Sequence, residues 1–113
     1  MDYYGYAGKI LHVDLTSGDI ERRQLDTEAA QKFLGGWGIN YRLEYDLLRP
    51  NTDPLSPDNP IIVGIGTLCG TLATASSKCT VTTKLPVSAS RDEKKYIVAR
   101  GGSYNVGNSA WLN

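Results

Sequence analysis

Gly8-Lys9-Ile10-Leu11-His12-Val13-Asp14-Leu15-Thr16-Ser17-Gly18-Asp19-Ile20 carries a strand, a turn and the start of a second strand. From Lys9 to Leu15 the side chains alternate, with Leu11, Val13 and Leu15 on one face and Ile10, His12 and Asp14 on the other, as in a half-buried strand. Thr16-Ser17-Gly18-Asp19 supplies turn chemistry, because glycine takes a positive φ at no steric cost and short polar side chains bond nearby backbone. Ile20 to Leu25 resumes as a strand, so the spacing predicts an antiparallel hairpin.

Beyond the hairpin, Asp26 or Thr27 can cap a helix by accepting from its free amides. Ala29, Ala30, Phe33 and Leu34 give that helix an apolar face, and Gly35-Gly36 stops it. A second helix is expected from Ile39 to Leu48, with Ile39, Leu43 and Leu47 on one stripe and Tyr41, Tyr45 and Leu48 widening it. Arg49-Pro50 ends it, since proline disfavours helical geometry at the residue before it. Pro50 to Pro60 holds four prolines and reads as a surface connection. The apolar run Ile61 to Gly66 reads as a strand covered on both faces, or as one that approaches another backbone at its glycines. Lys78 to Lys84 alternates again, Cys79, Val81 and Thr83 against Lys78, Thr80, Thr82 and Lys84, and Tyr96 to Ala99 is a shorter strand. The expected fold is α+β, a mainly antiparallel sheet with an N-terminal β-hairpin and two helices, part of a larger two-sheet domain.

The 113 residues balance 12 basic against 12 acidic side chains, so no global field favours nucleic acid or an acidic membrane surface. Charged and hydrophobic fractions of 21% and 41% are those of an ordinary globular chain. No apolar run approaches the ~20 residues of a membrane span. Met1-Asp2-Tyr3-Tyr4 lacks the basic start and apolar core of a signal peptide, and a cytoplasmic location is the expectation. Gly101 to Asn113 carries Tyr104, Val106, Trp111 and Leu112 without a closing helix or polar tail, which suggests a piece of something larger.

Cys69 and Cys79 stand ten residues apart, which fits neither a metal knuckle nor a C-x-x-C redox motif. They read as buried thiols, since free cysteine behaves as a small hydrophobe. His12 has no Cys or Glu partner nearby and reads as structural, and no metal site or catalytic residue is expected in the chain. Asp92-Glu93 belongs to a charged run, Arg91 to Lys95, that reads as a solvated loop.

Three segments can carry chemistry. Gly66 to Ser77 is rich in Gly, Thr, Ala and Ser and delivers Lys78 at the start of a strand. Small residues let backbone amides approach a ligand, and a lysine at the loop's end can meet an anion. The nucleotide-binding G-x-x-x-x-G-K-[ST] pattern is absent, and a polar turn between strands explains the same residues. Ala99-Arg100-Gly101-Gly102-Ser103 follows a strand, where two glycines allow close approach and Arg100 can neutralise charge, or simply make a tight bend. Gly35-Gly36-Trp37-Gly38 reads as a backbone device for a sharp turn with Trp37 as a core anchor. It is not a dinucleotide fingerprint, because the G-x-G-x-x-G spacing is missing.

Taken together, Gly8 to Leu15, Leu34-Gly35-Gly36-Trp37-Gly38, Leu68-Cys69-Gly70-Thr71 and the exit Lys84-Leu85-Pro86 resemble the start of the tungsten-containing aldehyde ferredoxin oxidoreductases. The resemblance implies that residues 1–113 are the N-terminal part of a pterin-cofactor-binding domain, with cluster-binding and substrate domains lying outside them. It implies a tungsten bis-pterin cofactor with magnesium, and a 4Fe-4S cluster whose ligands are not in this chain. Cofactor contacts carry over to Lys78, at a position that is usually arginine in the family, and to Ala99, Arg100, Gly101 and Gly102. Lysine offers a point charge where arginine offers a planar fork of donors. Implied activity is oxidation of aldehydes to carboxylates with electrons passed to ferredoxin. A branch resembling benzoyl-CoA reductases is the alternative within the family, and a stand-alone non-catalytic interaction domain is the alternative outside it. Expected partners are the remainder of the parent enzyme and ferredoxin or another electron-transfer subunit, in a homo-oligomer, with neither nucleic acid nor membrane.

Overall fold

A computed structural model describes residues 5–69, 71–76 and 78–86, and the backbone of 98–100. Asp14 turns the chain between β1 (Lys9–Val13) and β2 (Ile20–Gln24), its Oδ1 accepting from the amide of Thr16 at 2.8 Å and from that of Ser17 at 3.3 Å. These amides, Thr16 foremost, hold its carboxyl below the usual range. Gly18 sits at φ 80°, the left-handed conformation that the turn demands. The strands pair antiparallel with Lys9 opposite Gln24 and Val13 opposite Ile20.

Asp26 caps α1 (Thr27–Phe33), accepting from the Glu28 amide at 3.0 Å. Leu34, at φ 61°, turns the chain out of that helix, and α2 (Trp37–Leu47) begins directly after Gly36. The remaining strands, β3 (Ile62–Ile65), β4 (Cys79–Thr82) and β5 (Val98–Arg100), form a second antiparallel sheet in the order β3-β4-β5. The α+β architecture with a hairpin, two helices and small antiparallel sheets is therefore as the sequence implied. The Arg91–Lys95 run, Tyr96, and the segment from Gly101 onward lie outside the described residues.

Burial departs from the apolar patterning in four places. The hairpin's Leu11, Val13 and Leu15 face is exposed, Leu11 by 60%, while Ile10 and His12 are the half-buried pair. Among the described residues no other element packs broadly on that hairpin, so nothing covers the apolar face. Trp37, the first residue of α2, is 41% exposed and so is not a core anchor. Strand β3 is not covered on both faces, since Val63 is 66% exposed. On α2 the fully buried residues are Asn40 and Glu44, one turn apart, whereas Leu47 and Tyr45 are exposed and Ile39 and Leu43 half-buried. Helix α2 lies on β3 and β4, and its buried line is polar because the strands beneath it present polar groups. Thr80, Thr82 and Lys84 are the buried face of the β4 segment, opposite to the half-buried Val81 and Thr83.

Cys69 and Cys79 are buried free thiols. The 50–60 connection runs along the surface and is anchored by Asn59, which donates to the carbonyls of Pro54 and Lys84 at 2.8 Å each. The Lys84 ammonium turns inward to the Thr52 carbonyl, so the lysine of the Lys-x-Pro exit is spent on anchoring this connection.

Candidate functional site

The sheet's register decides where the sequence's chemical segments meet. β3 ends at Ile65 and β4 begins at Cys79, with those two residues paired, so the Gly66–Lys78 loop caps that end of the sheet. In the neighbouring pair Thr80 stands opposite Arg100, which brings the last residue of β5 to the same end. The Gly35-Gly36 junction reaches it too, because the Gly36 amide donates to the Ile65 carbonyl at 3.0 Å. Three segments separated in sequence thus converge on one edge. Ala99 pairs with Val81, one position further into the sheet, while Gly101 and Gly102 lie outside the described residues.

Both roots of the loop are tightly held. A methyl group on Gly35 would sit 3.2 Å from Thr67 Cγ2 and 3.4 Å from the Ile65 carbonyl oxygen, so the junction's missing side chain is what lets it lie against the loop's start. That bears out its reading as a backbone device. Within the loop, Cys69 Sγ faces the Ser76 carbonyl and lies 3.5 Å from the Lys78 carbonyl, tying start to end. The Thr71 hydroxyl donates to the Leu68 carbonyl, and the Ser76 hydroxyl donates to the Ala73 carbonyl at 2.8 Å. A loop closed by its own polar side chains presents a fixed backbone surface. Lys78 is exposed at its end and forms no ion pair with any described residue.

Behind this edge stands a buried polar cluster that sequence reasoning missed. Asn40 is 2% exposed, and its amide nitrogen lies 3.0 Å from the Thr80 carbonyl, 3.2 Å from Thr82 Oγ1 and 3.3 Å from the Ile62 carbonyl. Gly64 makes room for it: a Cβ there would lie 2.2 Å from Asn40 Oδ1. The glycine inside an apolar strand was the one available signal, and what approaches it is a side chain of α2. Glu44, 3% exposed, has neither carboxyl oxygen hydrogen-bonded among the described residues, and burial pushes its carboxyl above the usual range.

Exposed positive charge at Lys78, with small residues before it and the Arg100 position in register at the same end of the sheet, can meet an anionic group. Among the described residues no group of three or more His, Cys, Asp or Glu side chains could hold a metal ion. No described helix is long and apolar enough to cross a membrane.

Comparison with known proteins places the chain in a family. Residues 10–101 match the family model for the aldehyde ferredoxin oxidoreductase N-terminal domain. The chain is 39% identical over 85 residues to a tungsten-containing aldehyde ferredoxin oxidoreductase of Pyrococcus furiosus, and 41% identical over 87 residues to that of Pyrococcus abyssi. In each case 75% of this chain is matched, but only 14% of the relative's length is spanned. An aliphatic sulfonate oxidoreductase, WOR-like subunit, of Pyrococcus furiosus is 33% identical over 70 residues, 59% of the chain and 11% of the relative. A solved structure of the active site complex BamBC of benzoyl coenzyme A reductase with 1,5-dienoyl-CoA superposes with a TM-score of 0.69 at 39% identity, covering 74% of this chain and 13% of that one.

Proposed function

The chain belongs to the aldehyde ferredoxin oxidoreductase family, whose N-terminal domain it represents, and from that premise we propose that it forms part of the seat for a tungsten bis-pterin in a longer oxidoreductase. The observation that carries this reading is the convergence of the Gly66–Lys78 loop and Arg100 on one sheet edge. Lys78 and Arg100, with Ala99, Gly101 and Gly102 beside them in sequence, would hold the pterin and its magnesium, the two basic side chains opposing the charge of a phosphate. Lys78 acts as a point charge and so leaves orientation to the loop's backbone amides. Oxidation of an aldehyde to a carboxylate, with the electrons leaving through a 4Fe-4S cluster to ferredoxin, is the chemistry that such a bound cofactor supplies. The cluster ligands and the substrate pocket belong to the rest of the parent enzyme. This chain's part is to bind and orient.

Replacing Lys78 with Met in the full-length enzyme keeps the aliphatic stem and removes the charge. Tungsten and pterin content per folded protein should then fall while the far-ultraviolet circular dichroism stays unchanged. Unaltered cofactor content would make Lys78 an ordinary surface residue.

A second reading within the family is favoured by the benzoyl coenzyme A reductase neighbour, matched at 39% identity, close to the figures for the aldehyde enzymes. Under it the same seat serves reduction of an aromatic acyl-CoA. Assaying the full-length enzyme with aldehydes against aromatic CoA thioesters separates the two.

A further inference from the structure

Asn40 is bonded to the candidate site's framework through both its backbone and its side chain. Its backbone amide donates to the Gly36 carbonyl at 3.1 Å, and Gly36 in turn donates to Ile65 at the root of the loop. Its side-chain amide has two protons facing three acceptors, on β3 at Ile62 and on β4 at Thr80 and Thr82. Thr80 is the residue opposite Arg100, and it stands two positions after Lys78. One side chain thus sets the relation of α2 to both strands that carry the loop, in a space that exists only because position 64 lacks a Cβ.

We infer that Asn40 is a positioning residue for the cofactor seat, fixing the Gly66–Lys78 loop and the register of Thr80 without touching the ligand itself. The inference rests on the reading that Lys78 and Arg100 face the pterin. Two features separate it from ordinary core packing. An apolar residue of similar volume would fill the space with less desolvation, and would leave the Thr80 carbonyl free of the helix. A helix held on a sheet by directional bonds to strand carbonyls has its rotation and slide specified, whereas apolar contact specifies mainly distance.

The test uses the tungsten-loaded full-length enzyme with Asn40→Ala, which removes the donors, and Asn40→Ser, which keeps one hydroxyl donor. In Asn40→Ala, amides across residues 66–78 should exchange roughly tenfold faster, the scale of one or two lost hydrogen bonds. Tungsten should dissociate correspondingly faster, and the tungsten(V) electron paramagnetic resonance spectrum of the still-loaded fraction should shift. Asn40→Ser should restore part of each change. A merely structural role would lower the melting temperature and leave the dissociation rate and the spectrum of the loaded fraction at wild-type values, which would overturn the inference. So would an Asn40→Ser enzyme as impaired as Asn40→Ala. Faster loop exchange in Asn40→Ala alongside a Lys78→Met enzyme that keeps its cofactor would sink the contact reading instead, with the loop-fixing role of Asn40 upheld by the exchange data.

Discussion

At Glu44 the fold keeps a carboxylic acid where nothing among the described residues can bond it. The strands beneath α2, Ile62–Ile65 and Cys79–Thr82, carry no basic side chain. The Lys84 ammonium is committed to Thr52, and Arg42 pairs with Asp46 at 3.0 Å on the exposed side of the helix. Burial alone therefore raises the carboxyl's affinity for its proton. A raised folded-state value means that the native chain holds this proton at pH values where the unfolded chain has released it. Stability from this group is then complete below about pH 4.5, the ordinary value, and is lost as pH rises through the folded value. The local opening free energy of α2, measured by hydrogen exchange, should fall from pH 5 to pH 8 in the native protein. Glu44→Met removes both orphaned acceptors without shrinking the side chain much, so that slope should flatten and α2 should be better protected at pH 8. An unchanged slope would mean that Glu44 finds a partner in solution.

Elements were legible in the sequence where backbone chemistry dictates them. Gly18 marks the hairpin turn, Asp26 the start of α1 and the prolines the 50–60 connection, because each acts through its own φ or its own hydrogen bond. Removing the Asp26 cap should therefore have a local effect: Asp26→Ala should cost about 1 kcal/mol, read as faster exchange of the Glu28 amide, with β3 and β4 unaffected. Which face of an element is buried was less legible. Apolar spacing on α2 pointed to Ile39, Leu43 and Leu47, yet the helix sits on the sheet through Asn40 and Glu44. A helix face is defined by what it meets, and here it meets strand carbonyls and threonine hydroxyls separated from it by more than twenty residues in sequence. For the same reason the candidate site's segments could be named individually, at Lys78, Arg100 and the glycine junction, while their convergence depended on the β3-β4-β5 register.

Across the whole molecule, apolar surface is left over. The fully buried apolar residues among those described are Leu25, Ala30, Cys69 and Cys79, whereas Leu11, Ile20, Ile61, Val63 and Leu72 are exposed. A cleft of about 950 Å³ between the hairpin and the flank of α2 and β3 is bounded by Ile10, Leu43 and Ile61. Uncovered apolar surface favours association, so the 113-residue chain expressed alone should self-associate. Light scattering checks this, and a monodisperse monomer with a cooperative melt would point to a self-sufficient domain. The same chain should take up no 4Fe-4S cluster on anaerobic reconstitution, because two buried cysteines cannot supply the four thiolates such a cluster usually takes. Iron and sulfide analysis decides it. The 50–60 connection, tied through Asn59 and Lys84 to the end of the sheet away from the Gly66–Lys78 loop, also offers a handle. Asp58 is exposed there, and both native thiols are shielded. A cysteine introduced at position 58 would take a thiol-reactive fluorophore selectively, giving a reporter that moves with the sheet yet stays clear of the edge where the cofactor is proposed to sit.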